Sequence, residues 1–207
     1  MAYLVLVRHG QSKWNATGQW TGWTDIGLTA KGKAEARTAA KSLSGIKFDA
    51  VFSSCLWRAQ ETTHEILAQL GQPNTPIACS PDLNERDYGD LTGKNKWQVR
   101  DEYGEKQFDL WRRGWNVPIP GGETLKDVYE RAVPYYVKNI LPQLEDGKNI
   151  LISAHGNSLR ALVKYLDNIS DEDVSNLEIG TGEVYVYDIS AEGKIRSKEI
   201  KVTGQKA

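Results

Sequence analysis

The chain has 207 residues, of which 40% are hydrophobic and 26% are charged, and its formal net charge is −1. This composition is typical of a globular protein with one sizeable core, and no linker or internal repeat divides it. We therefore expect one domain over residues 1–207. The balanced charge argues against a general nucleic-acid binder, which usually carries a basic excess.

The cysteines and apolar segments indicate the compartment. The first apolar run, residues 3–7, is too short for a signal peptide, and no stretch approaches the roughly 20 apolar residues that span a bilayer. Cys55 and Cys79 lack a CxxC spacing, so two reduced thiols are favoured over a zinc site or a disulfide. We expect a cytoplasmic protein that has no membrane partner.

Strand and helix patterns alternate along the chain. Strands are predicted at residues 3–7, 50–53, 77–79 and 149–154, and two more lie within 183–202 around a turn at 192–193. Helices are predicted from residue 30, after a cap at Thr29, and at 56–70, 124–141 and 158–166, with a kink at Pro134. For residues 84–120 the pattern predicts only short helical segments. Residues 204–207 are expected to be disordered. The pattern predicts an α/β three-layer sandwich, whose mostly parallel central sheet has helices on both faces.

Two of the three histidines follow predicted strands directly. Ligands of such sheets bind outside the carboxyl ends of the strands. His9 and His155 lie at such ends, whereas His64 lies inside a helix. If their strands are neighbours, both rings face one crevice.

The triplet Arg8-His9-Gly10 combines groups that suit phosphoryl transfer. Neutral imidazole is a nucleophile toward phosphorus, and a guanidinium matches phosphate oxygens. We expect Gly10 to allow a close approach of a ligand or a positive φ. The alternative is a histidine that only bonds a backbone carbonyl at a strand end.

Further polar groups follow the other strands. Asn157 is expected to cap the helix after His155, whose N-terminal N–H groups favour an anion. Arg58 lies near the start of the helix after the second strand and is expected to reach the same crevice. Its alternative is an ordinary surface arginine.

A carboxyl and a basic pair complete the candidates. Glu85 is a candidate general acid, and the alternative is an exposed carboxylate paired with Arg86. Arg112 and Arg113 would diverge by about 100° on a regular helix, but at a helix end both can face a carboxylate or a second phosphate, assisted by Lys96. The alternative is a solvated basic surface.

These motifs together resemble those of the histidine phosphatase superfamily and, within it, the cofactor-dependent phosphoglycerate mutases. The matching segments are RHG at 8–10, TGW at 21–23, NERDYG at 84–89, WRRG at 111–114 and AHGNSLRALVKYL at 154–166. RHG marks the superfamily, whereas the full set is specific for the mutase branch. The resemblance covers almost the whole chain.

The resemblance implies an isomerase that interconverts 3-phosphoglycerate and 2-phosphoglycerate in glycolysis and gluconeogenesis. It implies 2,3-bisphosphoglycerate as the priming phosphoryl donor, a small phosphorylated carboxylic acid as substrate, and no metal. His9 would be the phosphorylated nucleophile, His155 would stabilise the transferring group and Glu85 would be the acid/base. The implied substrate-binding residues are Arg8, Ser12, Asn15, Thr21, Gly22, Arg58, Glu85, Tyr88, Lys96, Arg112, Arg113, Gly156 and Asn157.

The chain departs from the family pattern in two ways. Gln11 replaces the usual Glu after RHG, which removes a negative charge near the phosphate site, and we expect an altered lifetime of the phosphohistidine. The segment after Trp115 and the C-terminal tail are short, and for this reason a monomer is favoured over a dimer.

Three other functions compete with a mutase. A histidine phosphatase would hydrolyse small phosphorylated metabolites, with water as the acceptor. A non-catalytic member could dispense with His9, Glu85 or His155, all of which are present. A metal hydrolase lacks an HExxH-type motif here.

Overall fold

The computed structural model describes residues 2–202, so the expectation of disorder at residues 204–207 lies outside the described residues. The strands are β1 (Ala2–Arg8), β2 (Ala50–Ser54), β3 (Ile77–Ser80), β4 (Ile150–Ala154), β5 (Val184–Ile189) and β6 (Ile195–Val202). They form one sheet in the order β3-β2-β4-β1-β5-β6. The first four strands pair in parallel, whereas β5 and β6 are antiparallel, so the predicted mostly parallel sheet is confirmed.

Helices cover both faces of this sheet. They are α1 (Lys13–Ala16), α2 (Ala30–Ser42), α3 (Trp57–Gln69), α4 (Lys96–Tyr103), α5 (Glu105–Arg113), α6 (Leu125–Tyr135), α7 (Leu141–Glu145) and α8 (Gly156–Leu166). Side chains alternate along β1, so Val5 and Val7 pack with α2 and α3, while Leu4 and Leu6 pack with α6, α7 and α8. The three-layer sandwich is therefore as predicted.

The segment 84–120 differs from the prediction, because it holds two helices, α4 and α5, rather than short patches. Only Val99 of α4 and Phe108 and Trp111 of α5 are buried, so the apolar periodicity is weak. These side chains form a small separate core with others from the adjoining loops, namely Trp20, Leu91 and Ile119. This core places α4 and α5 over the carboxyl edge of the sheet, beside the histidines.

The predicted interruption at Pro134 is present. Thr124 caps α6, which ends at Tyr135, and the following turn, Tyr136–Ile140, is π-helical. Proline has no N–H to donate to the preceding turn, which loosens the hydrogen-bond ladder at this point.

Candidate active site

The two strand-end histidines face each other. In the parallel pair of β1 and β4, Arg8 lies opposite Ala154, so His9 and His155 leave the sheet at the same edge. Their ring centroids are 4.9 Å apart, and the ring planes are inclined at 59°. Both side chains are buried, whereas His64 is exposed on α3. The structure thus brings together the two rings that the strand pattern placed in one crevice.

The ring of His9 is held in its neutral form. Its Nδ1 lies 2.7 Å from the carbonyl oxygen of Gly10. Because a carbonyl only accepts hydrogen bonds, Nδ1 carries the proton and Nε2 keeps its lone pair. Burial, reinforced by the charges of Arg58 and Arg8, holds the pKa of His9 well below its ordinary value. The backbone-carbonyl contact of the structural alternative is therefore present. It leaves the lone pair of Nε2 available for a ligand.

His155 is oriented by a hydroxyl that the sequence did not single out. Its Nε2 lies 2.6 Å from Oγ of Ser54, at the end of β2. Its Nδ1 is buried and has no hydrogen-bond partner within residues 2–202. Burial, together with Arg58 and His9, lowers its pKa well below the ordinary value, so this ring is also neutral.

Two guanidiniums are fixed around the rings by backbone carbonyls. Arg58 is 1% exposed and donates to the carbonyls of Thr24, at 3.0 Å, and Gly22, at 2.8 Å. Burial lowers its pKa to about 10, which still leaves a cation at neutral pH. Arg8 donates through Nη1 to the carbonyl of Ile179 at 2.5 Å, and its Nε is buried without a partner among the described residues. The alternative of a surface arginine is wrong for Arg58.

Glu85 is buried at the N-terminus of α8. Its Oε1 accepts from the backbone N–H groups of Arg86, at 2.8 Å, and Asn157, at 3.0 Å. The alternative of an exposed carboxylate is therefore wrong, and the anion expected at this helix end is a side chain of the protein itself.

The predicted cap of α8 is also wrong. The N-cap residue is His155, because the helix begins at Gly156, and this places Asn157 in the first turn. The side chain of Asn157 instead donates to the hydroxyl of Tyr88 at 2.8 Å and accepts from Arg160 at 2.9 Å. Asn157 thus connects α8 to the loop that carries Glu85.

Gly10 is needed for close packing of the backbone. Its φ is not positive, and a Cβ at this position would lie 2.1 Å from the carbonyl oxygen of Gly32. Its N–H donates to the hydroxyl of Thr62 at 3.1 Å. The glycine therefore allows α2 to pack against the backbone that follows His9, and the expectation of a positive φ is wrong.

Two adjoining cavities open at this edge of the sheet. An inner pocket is lined by Arg8, His9, Asn15, Gln19, Trp20, Thr21, Arg58, Glu85, Tyr88 and Lys96. An outer pocket shares several of these residues and adds Arg112, Arg113, Gly156, Asn157, Arg160, Leu177, Glu178 and Ile179. Cationic side chains therefore line both pockets.

Two candidate residues have other roles in the structure. The hydroxyl of Ser12 accepts from the backbone N–H of Asn15 at 3.2 Å as the cap of α1. Gly22 supplies the carbonyl that holds Arg58. Neither residue is part of the lining of the two pockets.

The basic pair lies in the outer pocket, at the C-terminal end of α5. Arg112 and Arg113 both contact Glu178, with nitrogen–oxygen distances of 3.1 and 3.0 Å. The alternative of a solvated basic surface is therefore wrong. Lys96 completes the lining, and burial, reinforced by Arg8, lowers its pKa to about 8. No motif or local pattern marks Glu178, which lies in the loop between α8 and β5.

The two thiols line neither pocket and are not bonded to each other. Cys55 and Cys79 are both free, as predicted. Burial raises the pKa of both thiols. Residues 2–202 contain no group of three or more His, Cys, Asp or Glu side chains arranged to hold a metal ion.

Paired imidazoles among guanidiniums, at the carboxyl ends of parallel strands, define a site for a phosphoryl group. The family model described as histidine phosphatase superfamily (branch 1) matches residues 4–201. The chain therefore belongs to the histidine phosphatase superfamily.

Relatives in sequence and in structure carry different names. The 2,3-bisphosphoglycerate-dependent phosphoglycerate mutase of Methylobacterium sp. (strain 4-46) is 50% identical over 199 residues, which cover 95% of this chain and 96% of the relative. The solved structure of Bacillus stearothermophilus YhfR is 27% identical, with a TM-score of 0.82 over 99% of this chain and 98% of that one. The alpha-ribazole phosphatase from Shigella flexneri is 26% identical, with a TM-score of 0.79 over 98% and 96% of the two chains.

Proposed function

We propose that this chain is a 2,3-bisphosphoglycerate-dependent phosphoglycerate mutase, which interconverts 3-phosphoglycerate and 2-phosphoglycerate in glycolysis and gluconeogenesis. The observation that carries the proposal is the approach of His9 and His155, with ring centroids 4.9 Å apart, at the cationic pocket that His9 lines. The mutase name of a relative that is 50% identical supports the same substrate.

His9 is the nucleophile of the proposed reaction. Nε2 attacks the phosphorus of a bound phosphate ester, the P–O bond to the substrate breaks, and the phosphoryl group passes to the ring. Arg8 and Arg58 balance the charge on the equatorial oxygens. When the Ser54 hydroxyl donates to Nε2 of His155, the buried Nδ1–H of that ring is a further donor to these oxygens. Two of the buried nitrogens that have no hydrogen-bond partner within residues 2–202, Arg8 Nε and His155 Nδ1, belong to this site and fit a phosphoryl group.

Glu85 manages the proton in both directions. It protonates the substrate oxygen that leaves phosphorus, and in the reverse transfer it accepts the proton of the attacking hydroxyl. Two backbone N–H bonds fix its Oε1, so the carboxyl keeps its position through both transfers. 2,3-Bisphosphoglycerate would supply the first phosphoryl group to His9. The cations of the outer pocket retain the bisphosphorylated molecule while it reorients.

The competing function is that of a histidine phosphatase, in which water accepts the phosphoryl group. The outer pocket favours the mutase, because Lys96, Arg112 and Arg113 suit an acceptor that carries a carboxylate. The test is to incubate the enzyme with 3-phosphoglycerate, with and without 2,3-bisphosphoglycerate, and to follow 2-phosphoglycerate and free phosphate. We expect bisphosphate-dependent formation of 2-phosphoglycerate with little phosphate. Phosphate as the main product would contradict the proposal.

The proposal includes the setting of the enzyme. We propose a cytoplasmic monomer that needs no metal. No helix within residues 2–202 has the length and apolar character to cross a membrane. Turnover in excess chelator and the mass in light scattering test the last two statements; loss of activity or a dimer mass would contradict them.

A further inference from the structure

Glu178 joins the two arginines of the outer pocket. Its Oε1 accepts from Nη2 of Arg112 at 3.1 Å, and its Oε2 accepts from Nη2 of Arg113 at 3.0 Å. Each carboxylate oxygen thus contacts a different guanidinium. Neither the motifs nor the implied substrate residues include Glu178.

The ion pairs with Glu178 make the side chains of Arg112 and Arg113 converge. Consecutive residues of a helix point about 100° apart, so two neighbouring arginines do not converge by default. The backbone at this helix end is fixed, because Arg86 donates to the carbonyl of Trp111 and Arg160 donates to that of Arg113. The side chains, however, repel each other: burial and, after it, the charge of Arg113 lower the pKa of Arg112, while Glu178 opposes this shift. A carboxylate between them offsets this repulsion and gives both guanidiniums one direction.

Glu178 also acts on Lys96, the third cation of the outer pocket. Its negative charge raises the pKa of Lys96, opposing the stronger effects of burial and of the neighbouring cations. Four charged groups act on Lys96. They are Arg8 at the end of β1, Glu85, Arg112 at the end of α5, and Glu178. Glu178 therefore orients the two guanidiniums and helps to keep Lys96 charged, and both effects favour the binding of an anionic acceptor.

We propose that Glu178 is a positioning residue that holds Arg112 and Arg113 as one clamp for the carboxylate-bearing acceptor. The clamp decides whether the phosphoryl group on His9 passes to this acceptor or to water. The inference rests on the proposed mutase function and names a residue that determines its acceptor specificity.

The test replaces Glu178 by alanine and measures mutase kinetics with 3-phosphoglycerate. We expect KM to rise about tenfold, because two flexible side chains lose their fixed positions, while kcat changes less. The ratio of free phosphate to 2-phosphoglycerate should rise, and the labelling of His9 by 2,3-bisphosphoglycerate should remain stoichiometric. The rise of KM with pH should begin at a lower pH than in the wild type, because Lys96 loses a neighbouring anion. An unchanged or lower KM would overturn the inference.

Two further variants separate positioning from a general loss of structure. Glu65→Ala removes a comparable carboxylate, which pairs with Arg37 at 2.8 Å between α2 and α3, and its KM should equal that of the wild type. In an Arg113→Ala background, Glu178→Ala should raise KM much less than in the wild type, because the pair no longer exists. An equal rise in both backgrounds would overturn the inference.

The failure of the inference differs from the failure of the proposed function. Wild-type enzyme that makes no 2-phosphoglycerate contradicts the mutase function itself. Wild-type mutase activity with a Glu178→Ala variant of unchanged KM contradicts only the role of Glu178.

Discussion

The inner and outer pockets are built in different ways. At the inner pocket, His9 and Arg58, and His155 beside the ring of His9, are at most 2% exposed and are bonded to backbone carbonyls or a buried hydroxyl. In the outer pocket, Arg112 and Arg113 have side chains that are 20% and 32% exposed, and they are held by an ion pair.

This difference matches the demands on each pocket. Groups tied to the ends of strands keep their positions, which suits a phosphoryl transfer that depends on fixed geometry. Ion pairs between partly exposed side chains are weak and adjustable. Such pairs suit an acceptor that must present first one hydroxyl and then the other. We therefore expect inner-pocket substitutions to change kcat and outer-pocket substitutions to change KM.

Substitution of His9 by alanine should have the largest effect of any change in the inner pocket. We expect no mutase turnover and no label from 2,3-bisphosphoglycerate, because Nε2 is the atom that bonds phosphorus. Binding of 3-phosphoglycerate, measured by calorimetry, should persist through the outer pocket. Residual labelling would place the covalent bond on another residue.

Arg58→Ala should lower kcat by about 10²–10³-fold, the usual loss for one donor to a transition-state anion. Because the outer pocket is intact, KM should change far less, and steady-state kinetics separate the two constants. Arg37→Ala, which alters an exposed arginine, is the matched control and should leave both constants unchanged. An increase confined to KM would contradict the division between the pockets.

Ser54→Ala should lower kcat by about tenfold, the effect of one hydrogen bond that orients His155. The pH dependence of kcat should also change, because Nε2 of His155 loses its partner. Ser53→Ala is the control, since its equally buried hydroxyl donates to the backbone carbonyl of Ser54. A pH profile identical to that of the wild type would reduce Ser54 to a packing role.

The contrast between the pockets also explains what the sequence could predict. The strands, the rings of His9 and His155 and the position of Arg58 follow from local patterns, since a buried strand fixes where the next residue emerges. The basic pair was predicted to converge at a helix end or in a loop, and it lies at the C-terminal end of α5.

Other features depend on contacts between distant segments. Glu178 is 65 residues from Arg113 in the sequence, and Ser54 is 101 residues from His155. No local pattern marks such partners. Helices α4 and α5 were missed because few of their side chains are buried, although Asn95 is a cap that sequence reasoning could have used. The close packing of Gly10 on Gly32 likewise became visible only in three dimensions.

The outer pocket should respond to pH through Lys96. Its pKa of about 8 means that the cation is present below pH 8 and is lost as the pH rises above it. KM for 3-phosphoglycerate should therefore rise about fivefold from pH 7 to pH 9, whereas kcat changes less. Lys96→Arg should flatten the rise, because guanidinium stays charged in this range. A wild-type KM that does not change with pH would contradict a role for Lys96 in binding.

Gln11 is expected to have the smallest effect, because it lies behind His9 rather than in either pocket lining. Its side-chain oxygen accepts from the hydroxyl of Thr29 at 3.0 Å, and its backbone N–H donates to the carboxylate of Glu35 at 2.7 Å. Gln11→Glu adds a second carboxylate near Glu35, and its negative charge should favour the protonated form of the phosphorylated ring, from which neutral imidazole leaves phosphorus more readily. We expect the phosphohistidine to lose phosphate to water about twofold faster, a size typical of a screened unit charge.

The measurement is the decay of label from phosphorylated enzyme without acceptor. Gln11→Ala is the control, because it removes the same amide without adding a charge and should decay at the wild-type rate. Equal rates for Gln11→Glu and the wild type would mean that the charge at this position does not reach the phosphoryl group. The reactivity of the phosphohistidine would then depend on the groups that line the inner pocket and not on charges behind them.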